Sequence, residues 1–335
     1  MKKENKLKLI LKAIFTDMFI WVYISGSVSF LINHWFEVTI PGLHIVIYGS
    51  VVGVILMICG ISVGRKMFLS TKRINKKWYK TFWGWSVVLI LFITFIVGWI
   101  LVEVNPYKFF TKFTNTSGIM SGIFNPNLDI LIVSLTALAE TIYLALLATI
   151  FAIPFAFILS FFAARNLMPK TLIGNLVYII IRTFATVFRS IEAIVWAIIF
   201  SVWVGIGPFA GMLALMIHSI AALTKLYSEQ IENIDYGPVE AIKATGANTL
   251  QIWVFGVIPQ IISPFLAFTI YRWDINVRMA TIVGFVGGGG IGLLLLQQQQ
   301  LLRWHNVGMI IWLIAVVVWI MDMVSAKVRE KLRGM

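Results

Sequence analysis

Charge is what this chain has least of. Asp, Glu, Lys and Arg make up 12% of its 335 residues, while 60% are hydrophobic; an ordinary soluble domain carries about 25% charged residues. That excludes a soluble domain and leaves an integral membrane protein. Cysteine is reduced to Cys59, which excludes a disulfide framework or a multi-cysteine metal site; set in an apolar run, it reads as a small core residue. Histidine is scarce too. His34, His44, His218 and His305 are scattered, and none stands in a metal or acid/base motif, so no metal and no enzyme acting on lipid is expected. The short alternating segments of an outer-membrane barrel are missing as well. Finally, the run Gly287 to Gly290 is followed by neither Lys nor Ser/Thr in the pattern of a phosphate-cradling loop, so the chain is expected to have no ATPase site and no cofactor of its own.

The charge that is present is lopsided, 27 basic against 14 acidic residues, for a net charge of +13. It clusters at Lys2 to Lys12, Arg65 to Lys80 and Lys327 to Arg333, always beside apolar segments. This is the positive-inside pattern. It points to contact with anionic lipid, and no basic helix or aromatic platform supports nucleic-acid binding.

Apolar runs of about 20 residues or more suit helices crossing a hydrocarbon core of about 30 Å. They predict about eight crossings with both termini cytoplasmic. Ile14 to Ile32 and Leu43 to Val63 form an N-terminal hairpin, without the small-residue cleavage pattern of a signal peptide. Phe82 to Val102 leads to a polar segment, Glu103 to Leu128, with the composition of an external loop. Asp129 to Ala164 is too long for one perpendicular span, and Pro154 is its natural kink. Leu172 to Val204 reads as one span; Gly205 to Gly211 is a turn, with Pro208 opening the helix to about Tyr227. Thr249 to Ile270 crosses next, then a polar break over Tyr271 to Asn276. Ile282 to Leu296 is left as a re-entrant segment, and Val307 to Val324 is the last span. Three regions result: a hairpin at 1–64; a basic loop, a span and an external loop at 65–128; and a transport core at 129–335.

A few charges interrupt the apolar background. Arg189 and Glu192, three apart, would share a helix face and could form an internal ion pair; alternatively the first half of Leu172 to Val204 is a cytoplasm-proximal helix and its arginines lie at the interface and snorkel. Glu140 either pairs with an intramembrane Arg or caps polar neighbours.

The most informative stretch is Tyr236 to Gln260, polar and turn-bounded. Gly237 and Pro238 open a short helix, with Pro238 at its first position and Glu240 in its first turn, where the dipole favours an anion. Gly246 ends it. Asn248, three residues before Gln251, reads as the N-cap of the following helix. Val239 and Ile242 fall on one side. A helix of about two turns is marginal alone in water, so something must pack against it.

Glu240-Ala241, Gly246 at the sixth position after the Glu and Pro259 at the nineteenth match the spacing of the cytoplasmic "EAA" loop of ABC-importer permeases, with Ile242 where the signature has its second Ala. Further blocks are Gly205-Ile-Gly-Pro-Phe-Ala-Gly, Thr224-Lys-Leu-Tyr-Ser-Glu-Gln-Ile-Glu, Tyr271-Arg-Trp-Asp-Ile-Asn-Val-Arg and Gly284-Phe-Val-Gly-Gly-Gly-Gly-Ile-Gly. From about Leu131 to the C-terminus the chain resembles the phosphonate (and phosphite) ABC transporter permease family. Where that family has a proline after Arg189-Ser-Ile, this chain has Glu192.

The resemblance implies an all-α, type I importer permease core with an added N-terminal hairpin, in a bacterial cytoplasmic membrane. It implies two ATP-binding cassette subunits carrying ATP and Mg, an extracytoplasmic substrate-binding protein, and a second permease subunit, identical or related. Gly237 to Gly246 would insert into the ATPase, and Pro259 belongs to the same signature. A phosphorus oxyanion needs positive charge or N–H donors along its path without being held too tightly. Arg278 is the first candidate to line that path and Arg189 the second, although Arg278 could instead pair with Asp274, four residues earlier. His218 would hydrogen-bond the ligand or simply pack. Gly287, Gly288, Gly289 and Gly290 serve helix packing or form a hinge or gate, and a gate is favoured because four glycines exceed what packing needs. Competing functions are a permease for phosphate, another anion or a methionine-type amino acid, and a secondary carrier.

Overall fold

The computed structural model describes residues 3–59, 62–69 and 82–333. The basic stretch expected as a loop therefore lies largely outside the described residues. All regular structure among the described residues is helical, as a chain without water for its backbone requires. Contacts divide the chain into two compact units, 1–112 and 113–335.

In the first unit, α1 (Lys3–Phe36) and α2 (Gly42–Ile58) form the expected hairpin, followed by α3 (Val63–Phe68) and α4 (Phe82–Leu101). Two glycines four apart let α2 lie directly on α1. A Cβ on Gly49 would fall 2.5 Å from the Val22 Cα, and one on Gly53 2.8 Å from the Asp17 carbonyl oxygen. This is the small-residue crossing that replaces hydrophobic driving force between helices in lipid. Asp17 is buried, and its Oδ1 accepts the Gly64 N–H of α3 at 2.7 Å. Cys59 is exposed just past the last turn of α2; an apolar neighbourhood in sequence does not place a helix-end residue in a core. The unit also contains α5 (Pro106–Thr111).

The second unit begins with a 3-10 turn (Phe113–Thr116) and α6 (Ser117–Phe124). With α5, these show that the polar segment read as a loop is itself helical. Then come α7 (Leu131–Ala163), α8 (Leu172–Ser190), α9 (Ala193–Val204), α10 (Pro208–Glu232), α11 (Tyr236–Ala244), α12 (Thr249–Gln251), a π-helical turn (Ile252–Val257), α13 (Ile258–Gly284), α14 (Gly290–Gln300) and α15 (Trp304–Arg333). Seven helices across the described residues are long and apolar enough to span a membrane, and α2 is a shorter apolar helix of 17 residues.

α7 is the central post, packed by α10 along most of its length and by α13, α14 and α8. Alanines make this closeness possible: Ala145 and Ala148 on α7 pack with Ala210 and Ala214 on α10 and Val277 and Ala280 on α13 in one core, and Ala152 and Ala156 with Leu223 and Tyr227 on α10 and Phe265 on α13 in a second. α7 runs unbroken through Pro154, and Pro208 opens α10 as expected. At the far end of α7, Arg182 of α8 donates to the Ala163 carbonyl and to Glu232 Oε1, both at 3.1 Å, while the Arg165 N–H donates to the same carboxylate. These bonds satisfy carbonyl and amide groups that a helix end leaves open.

One expected boundary fails, and one open alternative is decided. The segment 172–204 is two helices, in agreement with a separate helix in its first half, because Ile191 and Glu192 are extended (ψ 121° and 147°), with Glu192 the N-cap of α9. Spacing of three then no longer means one face, and Arg189 and Glu192 form no ion pair among the described residues. Conversely, Tyr271 to Asn276 is no break. α13 continues through it to Gly284, since Arg272, Asp274 and Asn276 find partners inside the protein. The segment 282–296 is accordingly the end of α13, a turn and the start of α14.

Candidate coupling helix and buried polar core

α11 starts two residues earlier than the turn residues suggest. Asp235 is its N-cap, accepting the Gly237 N–H at 3.0 Å. Pro238 is therefore the third helical residue, not the first, and Glu240 lies beyond the first turn. The C-terminal end is as expected: Gly246 takes φ +82°, a left-handed conformation natural to glycine, and its N–H bonds the Lys243 carbonyl. Asn248 and Gln251 then form a reciprocal capping box.

The helix is held by its base and bare elsewhere. Val239 and Ile242 rest against Gly256 of the π turn, where a Cβ would sit 3.3 Å from the Val239 Cα. Gln260 of α13 reaches back to the Asp235 backbone. No residue of α11 is buried; Tyr236, Glu240, Ala241, Lys243 and Ala244 all face outward. Pro259 sits in the first turn of α13, next to Gln260. The structure thus brings Gly237, Pro238, Val239, Glu240, Ala241 and Ile242 together on one small exposed helix, with Gly246 just past its C-terminal end.

The glycine run is a turn, not a helix, so the helical cost of glycine does not arise. Gly287, Gly289 and Gly290 take φ +92°, +78° and +67°. A Cβ would meet Ile206 at Gly287, Val283 at Gly288, Pro208 and Glu140 at Gly289, and Thr141 at Gly290, each within 3 Å. Conformation and close approach require all four, which corrects the expectation that packing needs fewer. Glu140 Oε1 accepts the Gly290 N–H at 3.3 Å and Thr141 Oγ1 the Ile291 N–H at 2.8 Å. Glu140 therefore caps α14, where the dipole favours a carboxylate, and has no arginine partner among the described residues. This junction lies about 14 Å along α7 from its start.

Arg278 donates to Asp274 Oδ2 at 2.8 Å, so its charge is already matched. A second guanidinium, which spacing did not single out, is buried deeper. Arg272 is 5% exposed, and its Nε donates to Ser219 Oγ at 3.0 Å. Asn276, fully buried one turn on, donates from Nδ2 to Ser219 Oγ and Thr149 Oγ1, both at 2.8 Å. The network ties α13 to α10 and α7. Its signal in the sequence is the pair Arg272 and Asn276, four apart on an apolar helix. His218, beside Ser219, bonds through Nδ1 to the Ile191 carbonyl at 3.1 Å, holding the α8–α9 break.

An all-helical membrane core with a short, bare helix fixed to its end is the architecture of a transport permease. The model of the family described as binding-protein-dependent transport system inner membrane component matches residues 156–330, and the chain belongs to that family. HtxC of Stutzerimonas stutzeri, named for phosphite transport, is 32% identical over 244 residues, covering 73% of this chain and 84% of HtxC. The phosphate-import permease PhnE of Mycolicibacterium smegmatis is 33% identical over 238 residues, 71% of this chain and 44% of PhnE. Among solved structures, the inward-facing methionine ABC transporter MetNI superposes with a TM-score of 0.51 at 21% identity, covering 62% of this chain and 99% of that one. The fold is that of type I ABC-importer permeases.

Proposed function

We propose that the chain is the membrane-spanning subunit of an ATP-driven importer that moves a phosphorus oxyanion, phosphonate, phosphite or phosphate, into the cytoplasm. The observation that carries this is α11, a helix with no buried residue that is nonetheless anchored through Val239, Ile242 and Asp235 to the foot of α13. A marginal helix kept exposed and rigidly fixed suits the transmission of force from a soluble partner. That partner is an ATP-binding cassette subunit, present twice and holding ATP and Mg. A second permease subunit completes the path, and an extracytoplasmic binding protein delivers the anion. Both termini then lie on the cytoplasmic face with α11. Relatives named for phosphite transport and phosphate import support the substrate class. The glycine junction at Glu140, where α7, α10, α13 and α14 meet, is the pivot about which these helices rock.

Co-purification with the ATPase and binding protein, followed by uptake of labelled methylphosphonate, phosphite and phosphate into proteoliposomes, tests the whole reading. Glu240→Lys and Gly246→Asp should release the ATPase from the detergent-solubilised complex. Retention of the ATPase by both variants would remove α11 as the contact, and wild-type uptake of none of the three anions would remove the substrate class.

A further inference from the structure

A buried positive charge in a membrane protein is expensive and calls for a counter-ion. Arg272 has none within ion-pairing distance among the described residues. Its Nε is spent on Ser219, but Nη2 is buried and without a hydrogen-bond partner. A donor left unmet in this way costs the free energy of its lost hydration. Nearby Asp274, on the same helix, is committed to Arg278.

The surroundings have the form of an anion subsite. Ser219 and Asn276 lock each other, Ser219 Oγ lying 3.1 Å from Asn276 Oδ1, and together they fix the guanidinium from one side. Next to Ser219 on α10, His218 bonds the Ile191 carbonyl at the α8–α9 break. Guanidinium offers a planar fork matched to phosphorus oxygens.

We infer that Arg272, positioned by Ser219 and Asn276, takes the tetrahedral phosphorus oxyanion midway through translocation. This rests on the substrate class proposed above and replaces Arg278, whose charge is already paired, as the principal contact. In each transport cycle the anion would complete the Arg272 hydrogen bonding that the empty protein leaves open.

The test is uptake of labelled phosphite, methylphosphonate and phosphate by the complete complex in proteoliposomes, beside ATPase co-purification. If wild type carries none of the three anions, the substrate class fails and Arg272 loses its role with it. If wild type carries them, Arg272→Gln should assemble and raise KM by about tenfold or more, while Arg272→Lys keeps part of the affinity. Wild-type KM in Arg272→Gln overturns the inference and leaves the substrate class standing. Should Arg272→Gln fail to co-purify, Ser219→Ala decides: it keeps the charge but frees the guanidinium, and should raise KM several-fold in an assembled complex. An unchanged KM there makes Arg272 a packing residue only.

Discussion

Gln260 grips Asp235 by both backbone groups, its Oε1 accepting the Asp235 N–H at 3.0 Å and its Nε2 donating to the Asp235 carbonyl at 3.1 Å. The same amide nitrogen reaches the Gly256 carbonyl at 2.7 Å. One side chain therefore fixes the start of α11 to α13 across a 25-residue loop of sequence. Gln260→Ala removes all three bonds without touching the exposed face of α11. The ATPase should still co-purify, and ATP hydrolysed per anion imported should rise several-fold. An unchanged ratio would show that the contact of Val239 and Ile242 with Gly256 suffices for coupling.

Arg278 and Asp274 behave as a unit. The Asp274 side chain is 2% exposed and that of Arg278 43%, so removing the arginine strands a buried carboxylate while removing the aspartate frees a half-exposed cation. Arg278→Gln should lower the unfolding free energy in detergent by about 1–3 kcal/mol, discounted from a fully buried pair because the guanidinium is solvated. Asp274→Asn should cost less. The double variant should recover most of the loss, and thermal melts of all four proteins measure the coupling. Strict additivity would mean the two charges do not support each other.

These pairs show what was legible in sequence. The four-residue spacing of Asp274 and Arg278 made their contact an open alternative to a substrate role, because helical neighbours are local. The Asn248–Gln251 cap and the Gly246 stop were readable for the same reason. The α8–α9 break was legible only as an alternative, and not its position: Ser190-Ile191-Glu192 contains neither Pro nor Gly, and what stabilises it is His218 on α10. Nor was the continuity of α13. A run holding Arg272, Asp274 and Asn276 is too polar to extend a span past Ile270 until Ser219 and Thr149, 57 and 127 residues distant from Asn276, supply its partners.

The glycine junction carries its own test. A methyl group on Gly290 would lie 2.3 Å from Thr141 Oγ1 at φ +67°, so Gly290→Ala suffers both a clash and a left-handed backbone. A loss of about 1–3 kcal/mol is expected. Gly288→Val, which drives a side chain into Val283, should abolish uptake while the ATPase still co-purifies through the remote α11. Normal uptake by Gly288→Val would remove the junction as a pivot.

Asp17 makes the first unit testable by itself. Its carboxylate is 1% exposed, bonds the Gly64 N–H at the start of α3, and leaves Oδ2 buried without a partner among the described residues. Gly64 is pressed so close that a Cβ would fall 2.3 Å from the Ala13 carbonyl oxygen. The bond is charge-assisted and joins an acid on one helix to the positive end of another, so it is worth about 1.5–3 kcal/mol. Asp17→Ala should therefore accelerate hydrogen exchange at the Gly64 amide by about tenfold or more. Asp17→Asn keeps an acceptor oxygen and should retain much of the protection. Equal exchange in wild type and Asp17→Ala would mean that backbone packing at Gly64, and not the carboxylate, holds α3 against α1.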